Sequence, residues 1–112
     1  MYYKILERES TVLLFSRDGD LNPTSSFQIM RVGDRAMIHS LIGEGFYKIL
    51  SDIGIKPFLD MGVRHVYAAV SPAHYRLMRN KVSSGIVITL EGDCFIDGHK
   101  FKWIKVTNET TD

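Results

Sequence analysis

The stretch Gly62-Val-Arg-His-Val-Tyr-Ala-Ala-Val70, followed directly by Ser71-Pro-Ala-His-Tyr-Arg-Leu-Met78, decides how the chain is read. Arg64 to Val70 is short, largely apolar and rich in branched residues, which predicts a strand buried on both faces. Ser71-Pro72 then supplies an N-cap and a proline in the first helical turn, and Tyr75, Leu77, Met78 and Val82 give the helix a face to bury. Ser83-Ser84-Gly85 is its expected end. A strand that runs straight into a helix belongs to an α/β arrangement, in which a parallel neighbour is reached by a helical crossover.

Upstream, Phe46, Ile49, Leu50 and Ile53 recur at helical spacing after Gly43-Glu44-Gly45. Gly54 and Pro57 interrupt that pattern before Phe58-Leu59-Asp60-Met61 resumes it, so this helix either kinks or restarts with Pro57 in its first turn, and Gly62 closes it. Further back, Phe27 to Val32 and Arg35 to Ile42 flank Gly33-Asp34, a glycine-first pair suited to a type II′ hairpin turn. Tyr2 to Leu6 and Thr11 to Ser16 form an earlier hairpin, separated from them by a loop over Arg17 to Ser26. Downstream, Ile86 to Ile96 and Lys100 to Val106 are strands joined at Asp97-Gly98. The expected order is ββββαβαββ in a mixed sheet, a single domain over residues 1–106 with a flexible tail at 107–112.

At 112 residues, 45% apolar and 24% charged, the chain has the balance of one globular domain. No apolar run approaches the roughly 20 residues that span a bilayer, and Met1 to Leu6 lacks a signal-peptide layout, so a cytoplasmic protein with no membrane partner is expected. Net charge is +1, which gives no overall drive toward nucleic acid. Arg76, Arg79 and Lys81 crowd one segment, but cations near a helix C-terminus are also what its dipole favours. The lone Cys94 excludes an internal disulfide and a thiolate zinc site, and reads as a buried small hydrophobe. His39, His65, His74 and His99 do not have metal-ligand spacing, so no metal is assigned. No nucleophile elbow and no P-loop is present.

Two groups of residues have the chemistry of a site. Gly43-Glu44-Gly45 lies where a strand feeds a helix, so the amides of Gly45, Phe46 and Tyr47 could cradle a phosphate. Against that, paired glycines are common at such turns for steric reasons alone, and Glu44 adds a negative charge. His39 and His65 fall on neighbouring predicted strands and could approach each other, although packing explains a pair of histidines as readily.

From Phe27 to Val106, the element order, Gly43-x-Gly45 opening a helix, and the two stretches quoted first resemble the GNAT superfamily of acyl-CoA-dependent N-acyltransferases. The resemblance implies a GNAT-like mixed sheet whose fourth and fifth strands splay to leave a cleft between Ser40 to Gly45 and Val66 to Ser71. It implies acetyl-CoA as cofactor, held by Leu41, Gly43, Gly45, Phe46, Tyr47 and Ser71, with an amine-bearing small molecule or protein as acceptor. The chain departs from the pattern in three ways. The Arg or Gln that usually leads the pyrophosphate turn is replaced by Ser40. With Ser71 in the family's Asn slot, the slot of the proton-donating Tyr falls on Met78, so Tyr75, His39 or His65 would have to handle protons. The family's first two helices have no counterpart. His74-Tyr-Arg-Leu-Met78 is also similar to a segment of small GNAT-like phage proteins, so the alternative is a catalytically reduced, phage-encoded interaction protein that binds another protein or a second copy of itself.

Overall fold

The computed structural model describes residues 2–7, 11–16, 25–43, 46–81 and 85–108. It contains a mixed seven-stranded sheet in the order β1-β2-β3-β4-β5-β7-β6. The strands are β1 (Tyr2–Glu7), β2 (Thr11–Ser16), β3 (Ser25–Val32), β4 (Arg35–Gly43), β5 (His65–Val70), β6 (Ile86–Ile96) and β7 (His99–Asn108). Only β4 and β5 pair in parallel; the other adjacent strands are antiparallel. The crossover between β4 and β5 is helical, as the composition of residues 46–61 requires.

Local chemistry fixes the turns. Gly33 has φ +63 while Asp34 does not have positive φ, the combination that a type II′ turn needs. Asp97 and Gly98 both have positive φ, which makes the second hairpin turn a type I′. The crossover helix is divided into α1 (Phe46–Ile53) and α2 (Lys56–Asp60). Gly54 ends α1 at φ +63, and Pro57 sits in the first turn of α2, so the helix restarts. Helix α3 (Pro72–Lys81) begins at Ser71, whose Oγ accepts the His74 N–H at 3.1 Å, a side-chain N-cap of the kind that Ser-Pro predicts.

The core lies on one face of the sheet. Phe27, Ile29, Ala36, Val66, Ala68, Ile104 and Val106 share that face by register and are buried against Phe46, Ile49 and Leu50 of α1, Phe58 of α2 and Met78 of α3. No described helix covers the other face, where Met30 and Val32 are exposed.

Four expectations from sequence change. β5 is fully buried on its core face only, because Tyr67 and Ala69 point to the open side and are half-buried. Thr107 and Asn108 are strand rather than tail, facing Val87 and Ile86 across β6. Ser25 and Ser26 open β3 instead of ending a loop. Cys94, on the open face, is half-buried. No described helix is long and apolar enough to cross a membrane.

Candidate functional site

β4 and β5 pair from Arg35 opposite His65 to Ile38 opposite Ala68, and no further. β4 continues to Gly43, held by β3 on its other edge, and β5 continues to Val70, held by β7. The two strands therefore fork. Val66, expected at the border of the cleft, is still paired with Ala36, so the opening begins beyond Ala68. At the fork, β4 carries one extra residue. Gln28 faces Ser40 while Ile29 faces Ile38, which leaves His39 as a β-bulge. Along His39 to Gly43, no described strand pairs with the inner edge of β4 or occupies its backbone donors and acceptors on that side.

The fork opens into a cavity of about 460 Å³. Ile38, Ala68 and Val70 line it from the helix side together with Phe46 of α1. Met37, Ala69 and Trp103 line it from the open side, so the cavity passes through the sheet. Ser71 and His74 close one end at the start of α3, and His39 and Ile96 lie at the margin.

The structure brings His39, Phe46 and Ser71 to this cavity, with Leu41 and Gly43 on the unpaired part of β4. Tyr47 is the second residue of α1. Gly45, with Glu44, lies outside the described residues. Two proton-handling candidates are displaced. His65 stands opposite Arg35 at the far end of β5, with Nε2 3.7 Å from the Asp34 carboxylate, because the parallel register sets it four residues from the level of His39. Tyr75 is half-buried against the core with the Arg79 guanidinium 5.7 Å from its ring centroid, and it does not line the cavity. Met78, on which the tyrosine slot of the GNAT resemblance falls, is fully buried in the core.

His74, which is not among the proton-handling residues named from the sequence, lines the cavity where Tyr75 does not. Its backbone is fixed by the Ser71 cap, and burial pushes its imidazole below the ordinary value of 6.5, so the ring is neutral at neutral pH and able to accept a proton. The signal was in the sequence. The third residue of a capped helix lies one turn from the end of the strand that precedes it. Trp103 was also missed, although its alternation with Ile104 along β7 puts it on the open face.

No protein-family model and no curated protein matches the sequence. Solved structures do match. The aminoglycoside N-acetyltransferase AAC(6')-Ib11 superposes with a TM-score of 0.55 at 17% identity, over 88% of this chain and 66% of its own. The ribosomal-protein-S18-alanine N-acetyltransferase from Escherichia coli superposes with a TM-score of 0.54 at 15% identity, over 96% of this chain and 74% of its own. The chain thus spans just under two thirds of the first and about three quarters of the second. At these identities the likeness is one of fold: the chain has a GNAT-like α/β fold, a mixed sheet that opens between β4 and β5.

Proposed function

We propose that the protein is an acyl-CoA-binding N-acyltransferase that moves an acetyl group from acetyl-CoA to an amine. The observation that carries this reading is the fork itself, where β4 runs from His39 to Gly43 with an inner edge that no described strand covers. A pantetheine arm, which carries two amides, suits such an edge as an added strand does, by main-chain hydrogen bonds. The cavity of about 460 Å³ is of ligand size and has apolar walls in Ile38, Met37 and Val70.

Acetyl-CoA supplies an acyl group already activated toward an amine. The remaining work falls to the chain. Backbone N–H groups at the bulge, from His39 to Leu41, are oriented before the reaction and can stabilise developing negative charge on a carbonyl oxygen. Neutral His74 accepts the proton that the attacking amine must lose, and exposed His39 lies at the mouth. The fork holds the two reactants together.

Incubation with acetyl-CoA and a panel of primary amines tests this reading by release of free thiol and a matching acetyl mass gain on one amine. Thiol release without an acetylated product, or neither, would count against transfer. A second reading, a protein that uses the fold for association, draws on the outer edge of β6, which no described strand pairs and where Phe95 is 71% exposed. Its test is whether the solution mass rises with concentration.

A further inference from the structure

On the face of the sheet turned away from the helices lies a second depression, of about 410 Å³, with Met37, Tyr67 and Trp103 as its floor and Met30, Val32 and Arg35 around it. Met37 and Trp103 also line the fork, so this depression leads into the cleft. No described element covers it, and Met30 and Val32 are 55% and 73% exposed. The Tyr67 and Trp103 rings stack with centroids 5.8 Å apart and planes 18° apart, which makes one continuous aromatic surface. Met30 and Met37 are flexible and polarisable walls beside it.

Among the described residues that line the depression, Arg35 alone carries a charged side chain. It forms no ion pair with a described residue, and the neighbouring Asp34 carboxylate is instead 3.7 Å from His65 Nε2. An open guanidinium beside an aromatic floor suits a planar carboxylate, which it can hold by paired hydrogen bonds. Arg35 lies three residues before Ile38, where the fork opens, a span of about 10 Å along the strand. That span matches one aromatic ring with a short chain at each end.

We propose that this depression is the acceptor site, and that the acceptor is a small aromatic amine with a carboxylate remote from the amino group. The inference rests on the N-acyltransferase reading of the fork. The ring lies on Tyr67 and Trp103, the carboxylate meets Arg35, and the amine reaches the fork beside Met37 and Ala69. Transfer then forms the C–N bond of an amide and breaks the C–S bond of the thioester, and the proton lost by the amine ends on the released thiol.

Trp103 is the sole tryptophan, so its fluorescence reports occupancy of the site without catalysis. The probe is 4-(2-aminoethyl)benzoate, titrated into the wild-type chain in the absence of acetyl-CoA. Saturable quenching of Trp103 is expected, with phenethylamine (no carboxylate) and 6-aminohexanoate (no ring) each weaker by about tenfold or more. In Arg35→Gln the benzoate and phenethylamine should bind alike, with the melting temperature unchanged. Equal binding of all three ligands to wild type, or absence of quenching, would overturn the proposal. So would a dimer that forms with concentration and buries Trp103, because a second copy would then be the occupant. Calorimetry with acetyl-CoA alone separates the two readings. Quenching without acetyl-CoA binding leaves this ligand site standing and removes the transferase, whereas acetyl-CoA binding without quenching does the reverse.

Discussion

Ile38 and Ala68 are the last residues at which β4 and β5 face each other, and both put their side chains on the helix-covered face. Beyond this pair the strands are held by different neighbours, β3 on one side and β7 on the other, so the gap is built into the sheet. The bulge at His39 strengthens the local twist of β4 at the same level.

Replacing His74 by Gln keeps a polar group of similar length but removes the base. Acetyl transfer to an amine should fall by about 10²–10⁴-fold, with acetyl-CoA affinity nearly unchanged. In wild type the rate should decline as pH falls below 6.5, because the lowered His74 must stay neutral to accept a proton. His39→Gln should change the rate less, since His39 is exposed at the margin. Kinetics that survive His74→Gln, with the same pH profile, would assign the base elsewhere.

The same lowering makes a stability prediction. His74 binds a proton more readily in the unfolded chain than in the folded one, so its contribution is fully present above 6.5 and is lost as pH falls through the lower folded value. Urea midpoints of wild type should therefore drop more steeply below pH 6.5 than those of His74→Gln. Parallel curves would show that the imidazole is not desolvated by the fold.

Met78→Tyr would place a tyrosine at the slot that the GNAT resemblance gives to one, yet Met78 is fully buried among core side chains. A larger ring there overpacks the core at a cost of about 1–3 kcal/mol, and its hydroxyl faces the same apolar surroundings. The expected result is a lower melting temperature and no gain in transfer. A gain would mean that α3 turns this residue toward the cleft.

Gly33→Ala isolates the hairpin turn between β3 and β4. A methyl at Gly33 meets nothing within 4 Å, but φ +63 is costly for an L residue, so a loss of about 1–2 kcal/mol in chemical denaturation is expected from backbone strain alone. An unchanged midpoint would contradict the turn type.

Where the decisive physics is local, the sequence was legible. Gly33-Asp34 and Asp97-Gly98 fix their turns through φ, Ser71-Pro72 fixes a helix start, and Pro57 restarts a helix, all within a few residues. Where side-chain direction depends on tertiary packing, it was not. Tyr75 and Met78 belong to the face of α3 that the apolar spacing marks for burial, and Met78 is buried in the core, but only the packing shows that the helix brings His74 rather than Tyr75 to the fork. His39 and His65 lie on adjacent strands, but only the register places His65 opposite Arg35 and away from the cleft. The apolar run of β5 suggested two buried faces because a sequence does not reveal that one face lacks a described helix to cover it.

The central claim is that the fork beyond Ile38 and Ala68 receives acetyl-CoA, and titration calorimetry tests it without an acceptor. Wild type should bind at one site per chain. Ala69→Leu, which adds bulk to a half-buried residue lining the fork, should weaken binding by at least about tenfold while leaving the melting temperature within a few degrees. No heat and no thermal shift at millimolar acetyl-CoA, or binding that Ala69→Leu leaves intact, would contradict the account.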